Sequence, residues 1–231
     1  LSPEQQIACS TQNNILLTAC PGSGKTRTLT HRLAYQVLRD PASKKIKIAI
    51  TYTNRAAEEI TNRLEGMNID QSSIWAGTIH QFCMHFIIRP YAMYSKRLCK
   101  GYRIIDDYSK KAYGREIAER LGMHLNYYDD PFQYENVRTE YKRVLKEKKE
   151  IDFDAILLIS EELLASCAFI GSNIASVISS ILVDEFQDTN ELQYSILSTI
   201  YKANKSIILM FVGDVNQAIY SSLGGVAKGK K

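Results

Sequence analysis

The run Ala19-Cys20-Pro21-Gly22-Ser23-Gly24-Lys25-Thr26 ends in Gly-Lys-Thr and follows the apolar Ile15-Leu16-Leu17. A glycine-rich turn between a strand and a helix lets backbone N–H groups converge on a phosphate chain, and the helix N-terminus adds a favourable dipole. In such a loop Lys25 reaches the β/γ-phosphates and the Thr26 hydroxyl ligates Mg²⁺. The first position departs from the generic G-x-x-x-x-G-K-[ST] pattern, being Ala19. Far downstream, Ile181-Leu182-Val183 runs into Asp184-Glu185. Carboxylates at the C-terminal edge of a buried strand face the mouth of a parallel α/β sheet, where ligands bind. An Asp there holds Mg²⁺, and a neighbouring Glu orients or deprotonates an attacking water. Val212-Gly213-Asp214, followed by Gln217, is a further strand end. Its amide is suited to touching a γ-phosphate and sensing its loss. Together these groups point to a nucleoside triphosphate, without specifying the reaction.

Such groups must be carried by alternating strands and helices. Asn14–Thr18 reads as the strand feeding the phosphate loop, and Lys25–Arg39 as a helix with Leu29, Leu33 and Val37 in phase. Asp40-Pro41 breaks it. Ile46–Thr51 is a second strand, Asn54–Met67 a helix and Ile74–Gly77 a third strand. Short strands alternating with helices predict a parallel sheet with helices on both faces, an α/β fold. From Phe86 to Leu164 the texture is long, polar and helix-rich, and Val137–Lys149 carries Tyr141, Val144 and Leu145 at helical spacing. Strand signals return at Val177–Val183 and Ser206–Val212. Such apolar runs suit buried parallel strands. The expectation is a sheet interrupted by a helical insertion and then resumed.

Composition sets outer bounds. A 45% apolar content over 231 residues supports a real core. A net charge of +4 permits a nucleic-acid partner without implying one. Five cysteines without a C-x-x-C argue against a disulfide framework and a zinc site and predict a reducing, cytoplasmic setting. No apolar run approaches the ~18 residues of a membrane span. The chain opens on Leu1 rather than Met, and it reads as part of something longer.

In order, these segments resemble the superfamily 1 DNA helicases of the UvrD/Rep/PcrA type. Leu1-Ser2-Pro3-Glu4-Gln5-Gln6 resembles the family's Q motif, whose Gln reads the adenine edge. Gln5 is favoured here over Gln6. Ala19–Thr26 resembles motif I, Ala included, and Arg27 then corresponds to an Arg near the adenine. Thr51-Tyr52-Thr53-Asn54-Arg55-Ala56-Ala57 resembles motif Ia, and Gly77-Thr78-Ile79-His80-Gln81-Phe82 resembles motif Ib. Asp184-Glu185-Phe186-Gln187-Asp188-Thr189-Asn190 matches motif II almost letter for letter. Gly213-Asp214-Val215-Asn216-Gln217-Ala218-Ile219-Tyr220 resembles motif III.

The resemblance implies a RecA-like P-loop domain over Leu1–His85 and Ser166–Lys231, with a helical domain inserted over Phe86–Ala165. It implies ATP and Mg²⁺ as cofactors, with Thr26 and Asp184 on the metal and Lys25 on phosphate. Glu185 would act on water, and Gln187 and Gln217 would sense the γ-phosphate. It further implies single-stranded or tailed duplex DNA as partner, gripped by Thr51, Tyr52, Thr53, Asn54, Thr78, His80 and Tyr220. Tyr52 is equally a candidate for packing beneath the sheet edge, and His80 for a structural role. A second RecA-like domain, absent from this sequence, would supply arginines to the γ-phosphate. Such arginines contribute ~10³–10⁵ in rate, so these residues alone are expected to hydrolyse ATP poorly.

One departure stands out. Ser222 and Leu223 occupy the places of an aromatic and an Arg after motif III. This resembles UvrD-like proteins of bacterial anti-phage systems and leaves open an ATP-gated DNA-sensing subunit without unwinding activity. The leading expectation is a 3′→5′ helicase or translocase, in DNA repair or another pathway. A small-molecule kinase would share the phosphate loop but is not expected to carry Asp-Glu-x-Gln-Asp or Thr-Tyr-Thr-Asn.

Overall fold

The β-branched and leucine-rich runs pair with one another because a strand buried on both faces has only backbone to offer its neighbours. The computed structural model of the protein describes residues 1–18, 22–126 and 128–214. Those residues divide into two compact units, one formed by 1–82 and 164–214, the other by 83–163.

The first unit contains helix α1 (Pro3–Ser10), strand β1 (Ile15–Thr18), helix α2 (Lys25–Arg39), strand β2 (Ile46–Thr51), helix α3 (Asn54–Gly66), strand β3 (Ile74–Thr78) and the short helix α4 (Ile79–Phe82). In the second unit a π-helical turn (Cys83–Ile88) is followed by helix α5 (Arg89–Tyr91), strand β4 (Arg103–Ile104), helices α6 (Asp107–Arg120) and α7 (Glu135–Lys148), strand β5 (Glu150–Ile151) and helix α8 (Phe153–Ser166). The last turn of α8 returns to the first unit, which ends in α9 (Ala168–Val177), β6 (Ile178–Val183), α10 (Glu191–Ala203) and β7 (Ile208–Gly213).

Five strands of the first unit form one parallel sheet in the order β1-β7-β6-β2-β3. Leu29, Leu33 and Ala34 of α2 and Ile60 and Leu64 of α3 share one core with Ala49, Leu182, Met210 and Val212. The alternate residues Ile48, Ile50, Ile181 and Val183 point to the opposite face by the strand's period of two, and they too are buried. There α9 packs on β6 and α10 on α9. The sheet is therefore covered on both sides, as an all-parallel sheet requires.

Two strand ends differ from the sequence pattern for local reasons. Asn14 stands outside β1 and works through its side chain, which accepts from the Leu209 N–H (2.9 Å) and donates to the Tyr201 hydroxyl (3.0 Å). Val177 closes α9 instead of opening β6. The serines within β6 are tolerated because their hydroxyls are used. Ser179 donates to the Ile46 carbonyl (3.3 Å) and Ser180 to the Gln36 amide oxygen (2.8 Å).

The second unit packs Ile117 and Ala118 of α6 against Val137, Tyr141, Val144 and Leu145 of α7, with Ile105 between elements. The helical phase of Tyr141, Val144 and Leu145 is thus a core stripe. Gly114 is required there, since a Cβ at that position would run into the rings of Pro131 and Phe132.

Candidate functional site

Strand order brings the chemistry together. Because β7 lies between β1 and β6, its C-terminal end falls between the phosphate loop after β1 and the carboxylates after β6. All three open toward the same sheet edge because every strand is parallel.

The described part of the phosphate loop carries two left-handed glycines, Gly22 (φ 77°) and Gly24 (φ 85°). Gly24 is the N-cap of α2 and provides no side chain of its own. The first N–H groups of the helix thus keep the polarity that suits an anion. Ala19, Cys20 and Pro21 lie outside the described residues.

Lys25, buried to 9% exposure, donates from Nζ to Glu185 Oε2 at 2.9 Å. Thr26 donates from Oγ1 to Asp184 Oδ2 at 3.0 Å. Asp184 is held at the strand end by its own N–H bonding the Ile50 carbonyl at 2.8 Å. Glu185 follows in a left-handed conformation (φ 49°), which a non-glycine residue adopts at an energetic cost. That turn sends the two adjacent carboxylates to different partners: Asp184 to Thr26, Glu185 to Lys25.

Gln187, 6% exposed, closes the arrangement. Its Nε2 donates to Glu185 Oε2 (2.7 Å), and its Oε1 accepts from the Asp214 N–H (3.0 Å). A Cβ on Gly213 would lie inside contact distance of that Oε1, so glycine is required for this approach. The motif II segment and the end of β7 are therefore joined through one amide side chain.

The two acids are pushed in opposite directions. Burial raises the Asp184 pKa and the neighbouring Glu185 charge adds to this. The Thr26 hydroxyl, the Glu185 N–H and the Lys25 charge oppose it without cancelling it. Burial also acts to raise Glu185, but hydrogen bonds from Gln187 and Lys25 and the charge of Lys25 outweigh it, and the net shift is downward.

Gln5 reaches this site from α1. It completes a capping box with Ser2 and donates from Nε2 to the Ser23 carbonyl at 2.9 Å. Gln6 turns away and donates to the Leu1 carbonyl. Arg27 is exposed on α2.

The segments after β2 and β3 emerge side by side, with Thr51 and Thr78 in register. Tyr52 is 68% exposed and does not pack beneath the sheet edge. Thr51 is buried and donates to the Thr53 carbonyl (2.9 Å), while the Thr53 hydroxyl caps α3 by accepting from the Ala56 N–H (3.2 Å). Asn54 is exposed. Thr78 and Gln81 bond one another reciprocally at the start of α4, and His80 is half-buried beside them. Gln217 and Tyr220 lie outside the described residues.

Sequence reading missed two participants. Nothing in the sequence shows why position 213 must be glycine, and nothing singles out Arg32, which is fully buried. A buried Arg in a helix that also carries Thr28 and Thr30, both fully buried, has no signature in periodicity alone.

Among the described residues no cluster of three or more His, Cys, Asp or Glu side chains is placed to hold a metal. No described helix is long and apolar enough to cross a membrane.

Residues 4–223 match the model of a family described as an AAA domain. Three curated relatives align over nearly the whole chain. The ATP-dependent DNA helicase PcrA of Leuconostoc citreum is 28% identical over 93% of this chain and 32% of its own length. DNA helicase II of Escherichia coli K12 is 27% identical over 96% and 34%. The PcrA of Staphylococcus aureus Mu50 is 27% identical over 97% and 34%. The chain thus spans about a third of the length of the curated relatives it matches.

Proposed function

The chain belongs to the AAA domain family, and from that premise we propose that it is the ATP-binding portion of a DNA helicase or translocase. The observation that carries this reading is the pair of contacts Thr26–Asp184 and Lys25–Glu185, made between a phosphate loop and an Asp-Glu strand end. The names of the relatives, all DNA helicases, favour a motor over a purely sensing subunit.

In this reading residues 1–85 and 166–231 are the RecA-like domain and 86–165 its helical insertion. The phosphate loop and the start of α2 bind the triphosphate, Lys25 meets the β/γ-phosphates, and Gln5, beside Ser23, faces the adenine. Thr26 and Asp184 are the residues that would hold Mg²⁺. One hydroxyl and one carboxylate suit this ion, which keeps several waters and takes few protein ligands. When bound, the ion would neutralise charge on the phosphate oxygens.

Glu185 is the base for the attacking water. Its ion pair with Lys25 means that a triphosphate drawing Lys25 away also releases the carboxylate for that role. Gln187 and Gln217 sense the γ-phosphate, and Gln187 passes its position to the end of β7 through Asp214. Tyr52, Thr51, Thr53, Asn54, Thr78, His80 and Tyr220 grip a single strand of DNA, Tyr52 by stacking and the others by contacting phosphate, with Tyr220 a second stacking ring. A second RecA-like domain would supply the arginines that complete hydrolysis, and movement would run 3′→5′ in the cytoplasm.

The deciding experiment measures ATP turnover of the intact protein with and without single-stranded DNA, then unwinding of a 3′-tailed duplex. DNA-stimulated turnover with unwinding is expected. Turnover indifferent to DNA would overturn the reading. A high turnover rate from these 231 residues alone would overturn the assignment of the completing arginines to a second domain.

A further inference from the structure

Arg32 is the largest fully buried side chain among the described residues. Burying a guanidinium is costly unless its donors are matched and its charge is countered. Among the described residues no carboxylate pairs with it. Its Nη1 donates instead to the Ala8 carbonyl and its Nη2 to the Asn13 carbonyl (3.1 Å), while Nε has no partner among the described residues. Both accepting carbonyls belong to the α1–β1 connection. Ala8 lies in the last turn of α1, where carbonyls lack an intrahelical donor and a cation is favoured. Asn13 leads into β1.

Helix α1 packs along α2 through little apolar surface. It is eight residues long, too short to persist alone in water. Only Ala8 and Cys9 are buried in it, and Ile7 is 67% exposed. The apolar area that could fix its orientation is therefore small. Polar ties do the fixing: Arg32 at its C-terminal end, the Cys9 thiol donating to the Thr28 carbonyl (3.4 Å), and Gln5 to Ser23 at the other end. Arg32 follows Lys25 by seven positions on α2, two turns along the same helix face. One rigid element thus carries both the phosphate-binding residues and the cation that orients α1.

We infer that Arg32 is a positioning residue for base recognition, fixing α1 so that Gln5 meets the nucleobase at a set distance from the phosphate loop. This rests on the reading that Gln5 faces the adenine. Both of its bonds go to carbonyls of the α1–β1 connection, so its loss acts on the placement of α1. What an apolar replacement cannot do is hold the Ala8 and Asn13 carbonyls.

The test is a titration of the protein with fluorescent ATP and GTP analogues, for the wild type and for Gln5→Ala, Arg32→Met and Arg32→Lys. The expected result is a wild-type preference for ATP of about tenfold, the worth of one well-placed hydrogen bond. Gln5→Ala and Arg32→Met should both bring the ratio near one while leaving GTP affinity within about threefold. Arg32→Lys, which keeps the charge and can reach one carbonyl, should restore an intermediate ratio. If Arg32→Met weakens both nucleotides equally with the ratio intact, Arg32 is merely structural and the inference falls. If Gln5→Ala leaves the ratio unchanged, the reading of Gln5 falls and takes the inference with it. Should Arg32→Met fail to fold by circular dichroism, the ratio in Arg32→Lys decides: unchanged from wild type overturns the proposal, reduced supports it.

Discussion

Asp184 in the sheet unit and Asp152 in the helical unit are buried to nearly the same degree, 5% and 6% exposed, but their surroundings differ in kind. Asp152 accepts from the Tyr141 hydroxyl (3.0 Å) and the Ala155 N–H (2.9 Å), and Lys110 stands 3.6 Å away with Asp154 beside it. Donors and a cation meet its charge from α6, α7 and the start of α8. Asp184 has a hydroxyl, one backbone N–H and an adjacent carboxylate, and the nearby Lys25 charge, which is paired to Glu185, offsets its burial only in part. Burial therefore raises its pKa, and a cation at this position would relieve the cost. Asp152 is thus matched by donors and a cation of its own unit, whereas Asp184 keeps a burial cost that its partners do not fully offset. The partners also differ in sequence distance: Tyr141 lies 11 residues from Asp152, Thr26 lies 158 from Asp184.

The largest expected effects fall on the sheet unit. Glu185→Gln should lower DNA-stimulated ATP turnover of the intact protein by about 10²–10⁴-fold, the usual range for a general base. It should leave ATP binding intact or tighter, because Lys25 no longer spends its charge on a carboxylate. Lys25→Ala should weaken ATP binding by about 10–100-fold, as for one or two charge-assisted hydrogen bonds. Opposite signs for the two partners of one ion pair are the signature of a ligand competing for Lys25. If both substitutions weaken binding alike, the pair is structural and the contrast with Asp152 disappears.

Tyr141→Phe probes the other side. It removes a donor from buried Asp152 and should cost about 1–3 kcal/mol of stability. Each kcal/mol lowers Tm by about 2–4 °C in a chain of this size. Nucleotide affinity should not move, and a parallel loss of ATP binding would show that the two units do not divide the work as described. Gly213→Ala should cost a similar ~1–3 kcal/mol by overpacking against Gln187, but here nucleotide-linked behaviour should change too. The readout is the loss of DNA stimulation with ATP affinity held within a few-fold.

The same contrast governs what the sequence revealed. The strands of the sheet were legible because buried parallel strands read as continuous apolar runs, and the phosphate loop because its glycines and Gly-Lys-Thr have few other uses. Ile46–Thr51 and Lys25–Arg39 match to the residue. The pairings at the site were not legible. That Lys25 meets Glu185, and Thr26 meets Asp184, depends on β7 entering between β1 and β6, and strand order is not a local property. The two-residue strands Arg103–Ile104 and Glu150–Ile151 are too short to show a period. The π-helical turn at Cys83–Ile88 looks from sequence like any apolar helix segment. Arg32 is the plainest case. Its environment is two carbonyls from an element 19 to 24 residues earlier, and nothing in its own helix announces them.

The smallest effect is the most specific, because it sets the two adjacent acids of one strand end against each other. The Glu185 pKa is lowered, so its pairing contributes stability above the unfolded value of 4.5 and loses it as pH falls through the depressed folded value. The Asp184 pKa is raised, so stability is greatest with the group protonated, below the unfolded value of 3.8. It is lost as pH rises through the elevated folded value. At pH 7, then, Glu185→Gln should destabilise slightly, by under ~1 kcal/mol since the side chain is 39% exposed and screened. Asp184→Asn should stabilise. Both differences should shrink as pH falls toward 3, which denaturant midpoints at pH 7 and pH 3 would read directly. Adding Mg²⁺ and ATP at pH 7 should then erase the advantage of Asp184→Asn, because only the wild-type carboxylate gains from the cation. Two shifts of the same sign at pH 7 would mean that Asp184 is satisfied within the fold after all, as Asp152 is.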